Sequence, residues 1–155
     1  MDFPAKYAQE ISTPSGLLEA LGCTANDISG IYQTDDILVE FKHETCVQQL
    51  EPNFELLKHI KTRGVIATSQ SQNFDFISRW FGPRVGVNED TVTGSAHTTL
   101  IPYWMKKIKK QTLGAEQGSK RKGQLLGEIN ENGQRVYIYG EATLVMIGQF
   151  ILPIN

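Results

Sequence analysis

The spacing of hydrophobic residues in the first half of the chain predicts short helices and strands. Leucines at positions 17, 18 and 21 lie on one face of a helix that Thr13-Pro14 opens and Gly22 closes. Runs rich in β-branched and aromatic residues predict strands at 29–33, 37–41 and 64–68. Between these strands, Pro52 separates two expected helices at 44–50 and 53–60.

The second half of the chain is organised around one longer helix. Strict alternation of side chains over residues 74–81 predicts a strand, and a polar, glycine-punctuated loop follows at 82–97. The loop leads into a helix from about Ser95 to Lys110 that carries one broad apolar stripe. Pro102 is expected to kink this helix, because it lacks a backbone N–H and crowds the carbonyl of Thr98.

The remainder of the chain has the pattern of β-structure. Strands are predicted at 113–117, 124–130, 135–139 and 143–150, and Asn132-Gly133 is a typical hairpin turn between the second and the third. Antiparallel hairpins combined with one apolar helix predict an α+β domain. We expect a mostly antiparallel sheet that curls around the helix from Ser95 to Lys110.

Composition and charge narrow the class of protein. A length of 155 residues predicts a single domain over 1–155, and 40% hydrophobic with 21% charged residues is typical of a globular chain. A net charge of −2 gives no basic field for nucleic acid or anionic membranes. The start of the chain lacks a signal-peptide pattern and no apolar run approaches the roughly 18 residues of a membrane span. A cytoplasmic location is therefore expected.

The spacing of the cysteine and histidine residues gives little sign of a metal site. Cys23 and Cys46 form no C-x-x-C pair, and His43 with Cys46 lacks a third ligand nearby. Asp35-Asp36 is explained by turn chemistry. The lysines that crowd the end of the long helix are explained by its dipole, which favours cations there.

The stretch from Asn88 to His97 offers the chemistry of a binding site. The carboxylates of Glu89 and Asp90 precede Thr93-Gly94-Ser95 at a helix start, where unpaired N–H groups and the dipole favour a bound anion. One interpretation is a carboxylate-binding pocket with Asp90 as a proton-transfer group. The other is that Thr93 or Ser95 simply caps the helix and Asp90 complements its dipole.

Several spaced motifs, in one order, resemble the PhzF-like family of phenazine-biosynthesis-type isomerases. The family pattern is roughly R-x-F-x-P-x-x-G-x-x-E-D-P-V-T-G-S-A-H, then P-Y-W, Q-x-S-x-R-G-G and V-x-I-x-G. The matching segments begin at Phe81-Gly82-Pro83, Asn88-Glu89-Asp90, Pro102-Tyr103-Trp104, Gln117-Gly118-Ser119 and Arg135-Val136-Tyr137. Asp2-Phe3-Pro4 resembles the start of the family's second half. Thr91 and Lys122 depart from the usual Pro and Gly.

The resemblance implies a fold like that of diaminopimelate epimerase. Family members are about twice as long, with two related domains and the active site between them, so 1–155 is expected to resemble the C-terminal domain. The principal acid/base Glu and a supporting His belong to the N-terminal domain, which this chain lacks. Asp90 and Ser95 correspond to catalytic positions. The positions implied for substrate binding are Thr93, Gly94, Ala96 and His97.

The resemblance also implies an activity. We expect a cofactor-free and metal-free isomerase or epimerase that shifts a proton on a small carboxylate-bearing metabolite and is inactive without the N-terminal half. Its partners would be that metabolite and either the complementary half or a second copy meeting the cleft face, with no nucleic acid and no membrane. The alternative is a non-catalytic small-molecule-binding or self-assembling half-domain, the remnant of a split gene.

Overall fold

A computed structural model describes residues 1–150 of the chain. Four α-helices are present among these residues: α1 (Leu17–Leu21), α2 (Glu44–Gln48), α3 (Phe54–Leu57) and α4 (Gly94–Ile108). The strands are β1 (Asp2–Pro4), β2 (Gln9–Glu10), β3 (Ile28–Gln33), β4 (Ile37–Phe41), β5 (Val65–Gln70), β6 (Phe76–Gly82), β7 (Val87–Asp90), β8 (Thr112–Gln117), β9 (Gly123–Ile129) and β10 (Arg135–Tyr139).

All ten strands belong to one mixed sheet. Its order is β1-β10-β9-β8-β6-β5-β4-β3-β2, and β7 pairs with β6 beside this path. The pairs β4–β5 and β6–β8 are parallel, whereas the other neighbours are antiparallel. The α+β class predicted from the sequence is confirmed.

The central strands bury both faces, so successive side chains enter two different cores. In β6, Ile77 and Phe81 join the core that includes residues of α1, α2 and α3, whereas Phe76 and Trp80 join the core around α4. This is the two-residue period of a strand. The alternation predicted for residues 74–81 is confirmed from Phe76 onward.

The long helix contacts strands from both ends of the sheet. Its buried residues pack against β8, β9 and β10, and the hydroxyl of Thr99 lies 2.9 Å from that of Thr34, just after β3. Pro102 lies inside α4, and the carbonyl of Thr98 instead accepts a hydrogen bond of 2.9 Å from the backbone N–H of Lys6. The bond that proline removes is therefore replaced by a tertiary one.

Several boundaries differ from the sequence prediction. Residues 82–97 are not only loop, since they contain a 3-10 turn at Pro83–Val85 and strand β7. Helix α1 begins at Leu17, after Gly16, rather than at Thr13-Pro14. The predicted hairpin between β9 and β10 is present, and Gly133 has the positive φ, 74°, that favours glycine.

The predicted strand at 143–150 is wrong, because residues 140–150 form no helix or strand. Strand propensity alone does not create a strand when no neighbouring strand supplies the hydrogen bonds. The single-domain prediction extends to residues 151–155, which lie outside the described residues. Across residues 1–150, no helix is long and apolar enough to cross a membrane.

Candidate functional site

Sheet register brings four polar or aromatic residues to the start of α4. The parallel pairing of Ile37 with Val65 places Asp36, which precedes β4, beside Arg63, which precedes β5. In the antiparallel pair of β6 and β7, Trp80 lies opposite Asp90. Residues distant in sequence thus meet at one edge of the sheet.

Thr93 occupies the N-cap position of α4, yet its side chain does not cap the helix. Its hydroxyl donates to Asp90 Oδ2 at 2.7 Å and accepts from Gln117 Nε2 at 3.0 Å. Its backbone N–H donates to Gln117 Oε1 at 3.0 Å. Because Gln117 and Asp90 hold this hydroxyl, it is not available to the amides of the first helical turn.

Two amides at the start of α4 are unpaired. The N–H of Ala96 donates to Thr93 O at 3.0 Å, so it is already used. The N–H groups of Gly94 and Ser95 have no acceptor within residues 1–150. Unpaired N–H groups at the positive end of a helix dipole favour an anion. Of the positions implied for substrate binding, Gly94 therefore has an unpaired N–H and Ala96 does not.

Asp90 presents a half-buried carboxylate next to these amides. Its Oδ2 accepts from Thr93, and its backbone carbonyl accepts from Gln117 Nε2 at 3.0 Å. In the part of the chain that the structure describes, Oδ1 has no hydrogen-bond partner. The contacts with Thr93 and Gln117 therefore hold Asp90 in place. They do so although Thr91, the next residue, stands where the family usually has proline.

Ser95 and its neighbours form a second polar group. Arg63 Nη1 donates to Ser95 Oγ at 3.0 Å, and Arg63 Nε donates to Asp36 Oδ1 at 2.8 Å. Asp36 is only 2% exposed and also accepts from the indole N–H of Trp80. The hydrogen bond to Asp36 raises the pKa of Arg63, so the guanidinium stays charged. The interpretation of Asp36 as turn chemistry is corrected, because its buried carboxylate forms an ion pair with the partly exposed Arg63.

His97 lies beneath the site and has no exposed surface. Its Nδ1 lies 2.9 Å from Thr93 O, whereas its Nε2 has no partner among the described residues. Burial lowers the pKa of His97 from 6.5 to about 4, so the ring is neutral near pH 7 and Nδ1–H donates to the carbonyl. A ring without exposed surface supports the N-cap residue rather than touching a ligand.

Glu89, the second carboxylate of the loop, is engaged in the fold. Both of its oxygens accept from Arg79 at 2.9 Å, and one also accepts from Ser119 at 3.0 Å.

Lys122 stands where the family usually has glycine. It pairs with Glu116 at 2.7 Å and has no positive φ, so the substitution introduces no backbone strain.

A cavity of about 780 Å³ opens beside Gly94. Its lining includes Met1, Val92, Gly94, Lys122 and Tyr139. Across residues 1–150, no group of three or more His, Cys, Asp or Glu side chains lies close enough to hold a metal ion. Gly94 belongs to the lining of this cavity, whereas Asp90 and Ser95 do not.

Sequence reasoning missed three residues of this site. Gln117 had a signal, because it belongs to the Q-x-S-x-R motif, but its role as the partner of Thr93 depends on the β6–β8 pairing. Arg63 and Asp36 gave no local signal, since the parallel register of β4 and β5 alone makes them neighbours.

The fold and the site together define an α+β protein in which two unpaired amides at a helix start lie near the half-buried carboxylate of Asp90. The family model for phenazine biosynthesis-like proteins, PhzC-PhzF, matches residues 2–148. The chain therefore belongs to the PhzC-PhzF family.

Individual relatives agree with this membership. An uncharacterized isomerase of Pseudomonas aeruginosa is 53% identical over 148 residues, which are 96% of this chain and 55% of the relative. The crystal structure of a candidate PhzC/PhzF protein from Clostridium difficile has a TM-score of 0.87 and 35% identity, covering 98% of this chain and 57% of that one. A PhzF-family structure from Enterococcus faecalis gives 0.81 and 37%, covering 93% and 57%. The chain thus spans just over half the length of these relatives.

Proposed function

We propose that this chain is the C-terminal domain of a PhzF-like isomerase or epimerase that shifts a proton on a small carboxylate-bearing metabolite. The substrate carboxylate accepts hydrogen bonds from the N–H groups of Gly94 and Ser95 and from the Ser95 hydroxyl. Asp90 exchanges a proton with the substrate or stabilises the charge that develops. The principal base belongs to the other half of the protein, so the isolated domain is inactive.

One observation carries this proposal. The N-cap side chain of α4 is turned toward Asp90 and Gln117, and the Gly94 and Ser95 amides have no acceptor within residues 1–150. A helix whose start served only the fold would use the Thr93 hydroxyl to accept from the N–H of Ser95 or Ala96, since an N-cap contributes about 1 kcal/mol. The arrangement instead gives up that stabilisation and leaves donors beside a cavity.

The same proposal extends to the architecture and the partners. We infer that the sheet curls around α4, because residues near β1 and after β3 both bond to this helix. The site is completed by an N-terminal half that meets the cleft face, in a protein located in the cytoplasm. The 53% identity to an uncharacterized isomerase of Pseudomonas aeruginosa supports the reaction class.

Hydrogen exchange with solvent tests the proposed reaction. The part of the Pseudomonas aeruginosa isomerase that this chain does not match is placed before it, giving a full-length chimera. NMR then follows deuterium incorporation from D₂O into a panel of small carboxylates. We expect exchange by the chimera, none by the isolated chain, and a rate about 100-fold lower or more in Asp90→Asn, the usual effect of losing a proton-transfer group.

Asp2→Asn is the matched control, because it removes a carboxylate that pairs with Arg135 on the surface. It should leave exchange unchanged. Exchange catalysed by the isolated chain would contradict a base supplied by the other half. An Asp90→Asn chimera as fast as the parent would remove Asp90 from the reaction.

A further inference from the structure

The hydroxyl of Ser95 has only one hydrogen-bond partner in the part of the chain that the structure describes. That partner is the guanidinium of Arg63, whose Nη1 lies 3.0 Å from Ser95 Oγ. A guanidinium has N–H donors and no acceptor, so Ser95 Oγ is the acceptor in this bond. The proton of the Ser95 hydroxyl is therefore left for a second partner.

The guanidinium of Arg63 is held in place by two hydrogen bonds to Asp36. Asp36 accepts from both Nε and Nη2 of the guanidinium, and this fork fixes its plane. Asp36 is itself held by the indole N–H of Trp80 at 3.0 Å. The result is a chain of hydrogen bonds that runs from a buried tryptophan to the exposed side of Ser95.

Packing around the tryptophan strengthens this arrangement. The Arg63 guanidinium lies 5.6 Å from the centre of the Trp80 ring, a distance that favours a cation–π interaction. A Cβ at the next residue, Gly64, would lie 2.5 Å from the same ring. Only glycine lets the backbone approach the indole so closely, and this approach brings Arg63 to the start of α4.

We infer that Arg63 is a positioning residue that makes Ser95 a hydrogen-bond donor toward the substrate carboxylate. The guanidinium occupies one of the two lone pairs of Ser95 Oγ and offers no acceptor, so the hydroxyl proton is free to point at a ligand oxygen that also accepts from the Gly94 and Ser95 amides. Asp36 and Trp80 orient the guanidinium, and Arg63 acts on the ligand through Ser95. This inference rests on the proposed function. It adds that Arg63 determines the direction of the hydrogen bond between the Ser95 hydroxyl and the ligand.

A double-mutant cycle on ligand affinity tests the inference in the 155-residue chain. Benzoate is the probe, and its Kd is measured from the NMR shifts of the Gly94 and Ser95 amides. Arg63→Met and Ser95→Ala should each weaken binding about tenfold, as expected for one lost hydrogen bond to a charged group. In the Ser95→Ala background, Arg63→Met should change the Kd less than about twofold, because its effect passes through the hydroxyl.

Two further variants keep the test independent of folding. Trp80→Phe retains the packing but removes one donor to Asp36, and it should weaken benzoate two- to threefold with Ser95 present and not at all with Ser95→Ala. Arg84→Met removes an exposed arginine from the turn Pro83–Val85 and should leave the Kd unchanged. Urea unfolding of every variant reports any structural effect separately.

The outcomes separate the two levels of the proposal. If benzoate does not shift the Gly94 and Ser95 amides of the unaltered chain, both the anion site and the role of Arg63 are wrong. If benzoate binds there but Arg63→Met costs a further tenfold in the Ser95→Ala background, Arg63 acts directly or through its charge, and the positioning role is overturned. If Arg63→Met and Trp80→Phe lower stability without changing Kd, the ion pair is structural only.

Discussion

Burial determines how His97 and Gln117 act at the start of α4. His97 is completely buried, so its pKa falls to about 4 and its neutral ring donates to Thr93 O. Gln117 is also completely buried and directs the Thr93 hydroxyl away from the helix. These two residues do not touch the proposed ligand, yet they determine which amides are open to it.

The depressed pKa of His97 predicts a loss of stability in acid. Between about pH 6.5 and pH 4 the unfolded chain binds a proton at this histidine and the folded chain does not, so the free energy of unfolding decreases as pH falls. A shift from 6.5 to about 4 corresponds to roughly 3 kcal/mol at about pH 4 and below. Urea unfolding between pH 7 and pH 4.5 measures this decrease.

His97→Asn keeps a donor for Thr93 O and removes the titrating ring. We expect it to be less stable than the parent at pH 7, because the ring packs 6.1 Å from Phe76, and to lose less stability in acid. His59→Asn, at an exposed position, should retain the full decrease. Parallel pH profiles for the parent chain and His97→Asn would contradict a neutral buried histidine.

Among the elements, α4 depends on the segment between β1 and β2. Pro102 leaves the carbonyl of Thr98 without an intrahelical donor, and the backbone N–H of Lys6 supplies the missing bond at 2.9 Å. A buried carbonyl without a donor would cost about 1–3 kcal/mol. Proline at this position therefore couples the N-terminal segment to the helix that carries the site.

This coupling predicts that Pro102→Ala loosens the N-terminal segment. Alanine supplies an N–H that competes for Thr98 O, so the Lys6 amide should exchange with solvent deuterium roughly tenfold faster, the equivalent of about 1.4 kcal/mol. Amide exchange followed by NMR measures this directly. Pro52→Ala, in the loop between α2 and α3, should leave Lys6 unchanged. Unchanged exchange at Lys6 in Pro102→Ala would mean that the tertiary bond does not depend on proline.

At the scale of the whole molecule, the sheet and its two cores leave an apolar segment uncovered within residues 1–150. Residues 140–150 are exposed and without regular structure, and the side chains exposed by at least 76% there are Leu144, Val145, Met146, Ile147 and Phe150. Contiguous exposed apolar side chains are typical of association surfaces. The chain covers 55% of the Pseudomonas aeruginosa relative and 57% of the Clostridium difficile structure.

The isolated chain is therefore expected to self-associate at micromolar concentration. Light scattering should give a mass above that of the monomer, and replacing Val145, Ile147 and Phe150 by serine should return it to the monomer. Val85→Ser is the control, because Val85 is 53% exposed but lies in a turn outside this region. If the parent chain is monomeric at about 100 micromolar, the prediction is wrong.

Much of the fold and part of the site could be predicted from the local pattern. The alternation in β6, the hairpin at Gly133 and the helix after Gly94 depend on neighbouring residues, and the structure contains all three. The strand expected at 143–150 failed because a strand needs a partner as well as a suitable composition. Asp90, Thr93, Gly94 and Ser95 could be predicted as site residues because they are consecutive or nearly so, and their role stays a prediction.

The sequence by itself determined the α+β class, the family and the position of the helix start that we propose as an anion site. These follow from periodicity and from short motifs, in which the interacting residues are close along the chain. Only the tertiary structure decided that Thr93 does not cap α4, that Ala96 is already bonded and that Arg63 reaches Ser95. Those facts depend on strand register and burial, which bring Gln117, Asp36 and Arg63 to one edge of the sheet from distant parts of the chain.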